Sequence, residues 1–114
     1  MGANIKIVKL HQALHEDETS RISRNFVKSK DLESKNFNSC DHATYLTGGG
    51  VAPHNHVGVE EVFYFIRGEG VFTLNGQDIP VKAGTAVAVP SESYHGIRNT
   101  GSDILQHIVC SARV

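Results

Sequence analysis

The sequence predicts an all-β domain, either an antiparallel sandwich or a closed barrel. From Ala43 onward, about seven apolar runs rich in Val, Ile, Tyr, Phe and Thr alternate with turns that contain glycine or proline, and this rhythm is typical of short β-strands. Asn75 and Gly76 lie between two such runs, where their tolerance of positive φ indicates a tight hairpin. Because no room is left for a helix between parallel strands, we expect antiparallel pairing.

Length and composition limit the classes of function. The 114 residues are enough for one domain, and a hydrophobic fraction of 39% with a charged fraction of 20% is that of a folded chain. The net charge of −1 provides no attraction to nucleic acid or to an anionic membrane. Since the sequence shows neither a spanning apolar segment nor a signal peptide, we expect a cytoplasmic protein without a nucleic-acid or membrane partner.

The N-terminal part of the chain differs in composition from the rest. Residues 11–36 are mostly polar and charged, whereas the strand pattern begins only after residue 40. We therefore expect an N-terminal arm over 1–40 and a β-barrel domain over 41–114. In the arm we expect extended chain and one short helix near Leu10 to Glu18.

The two cysteines, Cys40 and Cys110, are too few to indicate a disulfide framework, and their spacing fits no zinc knuckle. We expect two reduced thiols in or near the core.

Two histidines stand out in the strand pattern, because His54 and His56 are separated by one residue. On a β-strand this spacing places both rings on one face, with Cα atoms roughly 6.6 Å apart. Imidazoles at this distance can bind the same metal ion. An isolated pair of this kind is nevertheless common without a metal.

The surrounding spacing is more specific than the pair. Gly48, His54, His56, Glu61 and Gly68 follow the pattern G-x5-H-x-H-x4-E-x6-G. Gly84, Pro90, His95 and Asn99 follow G-x5-P-x-G-x2-H-x3-N, with Glu92 in place of its second glycine. In this order the two patterns resemble the signature motifs of the cupin superfamily, and the strand rhythm agrees over about the last seventy residues.

This resemblance implies a small jelly-roll barrel, also called a double-stranded β-helix, that holds one divalent metal. The ligands that it implies are His54, His56, Glu61 and His95. Three neutral imidazoles and a carboxylate suit Fe, Mn, Ni, Co, Cu or Zn, and they leave positions open for a substrate or water. The absence of thiolates from the set argues against a closed structural zinc site.

Strand alternation leaves the choice between Glu60 and Glu61 open. If Glu61 faces inward, Phe63 and Phe65 line the pocket; if Glu60 does, the inward residues are Val62, Tyr64 and Ile66. Both faces are apolar, so the pattern alone does not decide. The motif spacing favours Glu61, because it satisfies the gap to His56 and the gap to Gly68.

Further pocket residues follow from the same alternation. Ile97 shares the face of His95, and Glu92 must form an ordinary turn or accept backbone strain. In the last strand two inward sets are possible: Leu105, His107 and Val109, or Gln106, Ile108 and Cys110. The candidate pocket residues are Phe63, Phe65, Ile97 and His107. For His107 and Gln106 the sequence favours a surface position or a satisfied polar group in the core over a ligand contact. For Tyr45 and His42, which could reach the cavity mouth, it likewise favours a structural role.

The family resemblance implies many reactions at one type of site. We expect a metal-dependent enzyme of dioxygenase, decarboxylase, isomerase or lyase type, acting on a small polar or aromatic oxygenated molecule chelated to the metal. The alternative is a non-catalytic small-molecule-binding or sensor protein. No Arg or Lys is clearly directed inward. The resemblance also implies a homodimer, and an outward apolar set on one strand supports it.

Overall fold

The computed structural model describes residues 6–10, 14–17 and 20–114. Within them lie β1 (Leu14–Asp17), β2 (Arg21–Lys28), α1 (Ser29–Leu32), β3 (Phe37–Tyr45), β4 (Gly50–His54), β5 (Val59–Arg67), β6 (Glu69–Leu74), β7 (Gln77–Lys82), β8 (Ala86–Val89), β9 (His95–Asn99) and β10 (Leu105–Arg113). None of the helices in this part of the chain has the length and apolar character needed to cross a membrane.

The strands form two antiparallel sheets. One sheet has the order β1-β2-β3-β10-β5-β8, and the other has the order β4-β9-β6-β7. Strands distant in sequence are neighbours in both sheets, as β3 and β10 are. The predicted all-β class and the double-stranded β-helix are confirmed.

Aromatic packing between the two sheets forms the centre of the core. Phe63 and Phe65 of β5 contact Phe72 of β6 edge-on, with ring centroids 5.1 and 6.3 Å apart. All three rings are buried, and each contributes about 1.5–3 kcal/mol to the free energy of unfolding by leaving water. This packing decides the alternation of β5: the face of Glu61 points inward, and that of Val62, Tyr64 and Ile66 points outward.

The same alternation is resolved in β10. Leu105, His107 and Val109 are buried, whereas Cys110 is exposed. Of the two sets left open by the sequence, the first therefore faces the core.

Two turns have the positive φ values that their sequences led us to consider. Asn75 and Gly76 have φ values of +48° and +82°, as a tight hairpin between β6 and β7 requires. Glu92 has a φ of +66°. It therefore adopts the left-handed conformation, in which a residue with a side chain has more backbone strain than glycine. Its backbone N–H donates to the carbonyl of His56 at 2.8 Å, which ties this turn to the histidine segment.

The N-terminal strands are hydrogen-bonded into the larger sheet. β2 pairs with β3, with Arg21 opposite Tyr45, and β1 pairs with β2. The predicted helix near Leu10 to Glu18 is wrong over Leu14–Asp17, because pairing with the open edge of β2 satisfies the backbone groups there as a strand; residues 11–13 and 18 lie outside the described residues. The division of the chain into 1–40 and 41–114 stays a prediction.

Cys40 and Cys110 lie directly opposite each other on β3 and β10 and form a disulfide, with their Cα atoms 4.4 Å apart. The expectation of two reduced core thiols is wrong. The pairing of β3 with β10 across 70 residues of sequence brings the two together, and strand order of this kind cannot be read from cysteine spacing.

We expect the disulfide to stabilise the fold by restricting the unfolded chain. Replacing Cys110→Ser should lower the free energy of unfolding by about 2–4 kcal/mol, measured by denaturant titration without reductant. With dithiothreitol present, the wild-type protein should match the variant. Equal stability of the two proteins without reductant would contradict this expectation.

Candidate metal centre

Three histidines meet at one end of the space between the sheets. β4 pairs with β9 so that His54 lies opposite His95, and His56 follows two residues after His54. Their candidate ligand nitrogens all lie within 4.8 Å of one another. The pairing of β4 with β9 therefore brings His95, which the second sequence motif contains, beside His54 and His56.

Backbone carbonyls orient two of the three rings. Nδ1 of His54 lies 2.9 Å from the Ala52 carbonyl, and Nδ1 of His95 lies 3.1 Å from the Ser93 carbonyl. Because a carbonyl oxygen only accepts, Nδ1 must carry the proton in each ring. The neutral rings therefore have an unprotonated Nε2, which is the state that binds a metal.

Glu61 completes the group. Its Oε1 lies 3.1 Å from Nε2 of His95 and 3.9 Å from Nε2 of His56, and its side chain is 14% exposed. Glu60 is exposed on the other face of β5. The structure thus brings together the four residues that the motif spacing favours, whereas Glu60 lies apart from them.

The charges of Glu61 and His95 stabilise each other. Burial acts to raise the pKa of Glu61, but the hydrogen bond to His95 and the nearby imidazoles outweigh it and lower that pKa. Burial acts to lower the pKa of His95, but the bonds to Glu61 and to the Ser93 carbonyl outweigh it and raise that pKa. The site therefore favours the ionised carboxylate of Glu61 together with the protonated ring of His95.

A cavity of about 400 Å³ opens beside the histidines. Its walls are formed by Arg21, Ser23, Asp41, Ala43, Tyr45, Val51, His54, His56, Glu61, Phe63, His95, Ile97, His107 and Val109. Of the predicted pocket residues, Phe63, Ile97 and His107 line it. Phe65 does not: it is completely buried and packs edge-on against Phe72 and the ring of His107.

Sequence reasoning missed the contribution of β2 to this cavity, and from β3 it placed only Tyr45 and His42 near the mouth. Arg21 lines the cavity, which corrects the expectation that no clearly inward cation exists. Tyr45 is 2% exposed and hydrogen-bonded to His107, so it has a structural role and also forms part of the wall. The sequence carried no signal for Arg21, because the pairing of β2 with β3 places it there.

The defining pattern of the Cupin domain matches residues 41–110. The chain belongs to the cupin family. The match covers the histidine segment, Glu61, His95 and Cys110, whereas Cys40 lies one residue before it.

Two curated relatives resemble this cupin over part of its length. The Oxalate-binding protein of Thermotoga maritima is 43% identical over 61 residues, which are 54% of this chain and 50% of the relative. An uncharacterized protein of Methanocaldococcus jannaschii is 34% identical over 58 residues, which are 51% of this chain and 46% of the relative. The matching part of the cupin therefore spans about half the length of each relative.

Solved structures match over nearly the whole chain. A predicted oxalate decarboxylase from Thermotoga maritima superposes with a TM-score of 0.86 at 25% identity, over 96% of this cupin and 100% of that chain. KdgF from Halomonas sp. superposes with a TM-score of 0.81 at 16% identity, over 97% and 96% of the two chains. The second likeness shows the fold alone.

The ion pair between Glu61 and His95 makes a pH-dependent contribution to the stability of this cupin without metal. The lowered pKa of Glu61 stabilises the fold above the ordinary carboxyl value of 4.5, and the raised pKa of His95 stabilises it below the ordinary imidazole value of 6.5. The contribution is lost as pH rises through the folded pKa of His95. In chelator-treated protein, Glu61→Gln should therefore cost about 1–2 kcal/mol near pH 5.5 and less at pH 8.

The measurement is denaturant unfolding at both pH values, with Glu60→Gln as the matched control. The control should lose little at either pH, because Glu60 is exposed. An equal loss for Glu61→Gln at both pH values would contradict the ion pair.

Proposed function

We propose that this cupin binds one divalent transition metal and, through it, holds a small carboxylate by its oxygen atoms. The four proposed ligands are His54, His56, Glu61 and His95. The observation that carries the proposal is the convergence of the imidazole nitrogens and the Glu61 carboxylate beside an open cavity. Fe, Mn, Ni, Co, Cu and Zn all suit this nitrogen-rich set.

The donor set also fits such an ion in charge. Three neutral imidazoles and one carboxylate carry a net charge of −1, so the centre with a divalent ion would carry +1 and attract an anion. When bound, the ion supplies Lewis acidity toward a chelating oxygen. The three imidazole nitrogens and the Glu61 carboxylate would leave one or two coordination positions of the ion free for the ligand.

Three further observations support a carboxylate. One relative bears the name Oxalate-binding protein, and the structure that superposes with a TM-score of 0.86 is described as a predicted oxalate decarboxylase. Arg21 adds a cation to the wall of the same cavity. We therefore propose oxalate as the first ligand to test.

Removal of a ligand should weaken the metal site selectively. Elemental analysis should find one transition metal per chain, and Glu61→Gln should reduce metal affinity by at least about tenfold, measured by calorimetric titration of Zn²⁺ into chelator-treated protein. Glu60→Gln, one position away and exposed, should bind as the wild type does. A protein that takes up no metal, or a larger loss in Glu60→Gln, would contradict the proposed site.

The second candidate function is catalysis. Decarboxylation and dioxygenation are the two reactions to test first. The support for catalysis is the description of the structure from Thermotoga maritima and the set of free positions that a four-residue site leaves. Oxalate consumption, formate release and oxygen uptake with Fe²⁺ distinguish the two candidates. Stoichiometric binding of oxalate without consumption identifies a binding protein.

We further propose that two copies of this cupin associate through the outer face of β5. Val62, Tyr64 and Ile66 are 52%, 48% and 40% exposed on that face, and a second copy would cover this row with the same row by two-fold symmetry. Tyr64→Lys should convert the dimer to a monomer, measured by light scattering after gel filtration. Tyr94→Lys, at a tyrosine 58% exposed elsewhere, is the control; a wild-type monomer would contradict the proposal.

A further inference from the structure

His56 is held differently from the other residues of the candidate metal centre. His54 ends β4, Glu61 lies within β5 and His95 begins β9, so the backbone of each belongs to a paired strand. His56 lies in the connection between β4 and β5, outside both strands. Its side chain is also 46% exposed, compared with 14% for Glu61 and 2% for His95.

The His56 ring lacks the orienting bond that the other two rings have. Nδ1 of His54 and Nδ1 of His95 each donate to a backbone carbonyl. Within the described part of the chain, no such bond reaches the His56 ring. Its polar neighbour is Glu61, whose Oε1 lies 3.9 Å from Nε2 of His56. The position of this ring therefore depends on the backbone segment that carries it.

The turn between β8 and β9 holds that backbone segment. The Glu92 N–H donates to the His56 carbonyl at 2.8 Å. The Ser91 hydroxyl accepts from the Gly58 N–H at 2.9 Å, and it donates to the His56 carbonyl over a longer distance of 3.5 Å. Ser91 and Glu92 thus contact both ends of the segment from His56 to Gly58.

The same turn is fixed on its other side. The Asn75 N–H donates to the Tyr94 carbonyl at 2.7 Å, and the Tyr94 N–H donates to Asn75 Oδ1 at 2.9 Å. Asn75 belongs to the tight hairpin between β6 and β7, and Tyr94 directly precedes His95. The turn is therefore an anchored support that ends at one proposed ligand and holds the segment of a second.

Hydrogen bonds rather than packing place the His56 segment. Val57 is 75% exposed, and a Cβ added at Gly58 would meet no atom of the described residues within 4 Å beyond its chain neighbours. The Gly58 carbonyl accepts from the Val114 N–H at 3.1 Å. The Ser91 hydroxyl supplies two further bonds, and it does so from a side chain, which a substitution can remove.

We infer that Ser91 is a positioning residue of the metal centre, because its hydroxyl holds the segment from which His56 reaches the ion. The inference rests on the proposed function, in which His56 is one of four ligands. Ser91 is not itself one of these ligands. It acts through the His56 backbone, so its removal should matter only while His56 binds the ion.

Metal affinity tests this role. Ser91→Ala removes the hydroxyl and leaves the backbone bond from Glu92, so the Zn²⁺ affinity of chelator-treated protein should fall by about three- to tenfold, within the range for one net hydrogen bond. The measurement is titration against a competing chelator. Ser91→Thr keeps the hydroxyl and should restore affinity to within about twofold of the wild type. Ser102→Ala, at an exposed serine before β10, is the matched control and should bind as the wild type does.

A double-mutant cycle separates positioning from a general effect on the fold. In a His56→Ala background the ligand that Ser91 positions is gone, so adding Ser91→Ala should change Zn²⁺ affinity by less than about twofold. The visible absorption of bound Co²⁺ reports the arrangement of the ligands. It should differ between the wild type and Ser91→Ala, and it should be unchanged in Ser102→Ala.

Denaturant unfolding of the chelator-treated proteins verifies that Ser91→Ala is folded. If it is not, Ser91→Cys replaces it, because a thiol accepts a hydrogen bond only weakly. An unchanged Zn²⁺ affinity or Co²⁺ spectrum in the folded variant would overturn the inference, as would a loss of affinity that persists in the His56→Ala background. These results leave the proposed function intact, whereas wild-type protein that takes up no metal contradicts the proposed function itself.

Discussion

The packing of Phe63 and Phe65 against Phe72 is the contact on which the rest of the structure depends. It joins the two sheets and fixes which face of β5 points into the molecule. Because side chains alternate strictly along a strand, the same choice turns Glu61 toward the histidines and Glu60 toward solvent. It also leaves the apolar row that begins at Val62 on the outer face. One hydrophobic contact thus sets the core, the candidate metal centre and an exposed surface.

Several of the polar groups inside this barrel are matched to a neighbour. The His54 and His95 rings donate to backbone carbonyls, and His95 meets the Glu61 carboxylate. Burial keeps His107 uncharged, and its Nε2 lies within hydrogen-bond distance of the Tyr45 hydroxyl. A charge partner thus outweighs burial at His95, whereas burial decides the charge of His107.

Much of the fold and the site was predictable from local pattern. The strand-turn rhythm, the Asn75–Gly76 hairpin and the spacing from His54 to Glu61 are all short-range features. The errors arose where distant segments meet: the helix expected over Leu14–Asp17 is a strand, and the cysteines are bonded across β3 and β10. Phe65, expected in the pocket, is fully buried against Phe72 and does not line the cavity.

By itself, the sequence determined the all-β class, the family and the residues that form the histidine cluster, because these depend on residue type and on spacing along the chain. Only the tertiary structure decided that Arg21 and Tyr45 share a cavity with His95, and that Leu105, His107 and Val109 face inward on β10. The physical reason is that β-sheet neighbours are chosen by long-range pairing and by the packing of one sheet on the other. The partner of a strand is not encoded in its own periodicity, and where both faces of a strand are apolar the alternation does not show which face is buried.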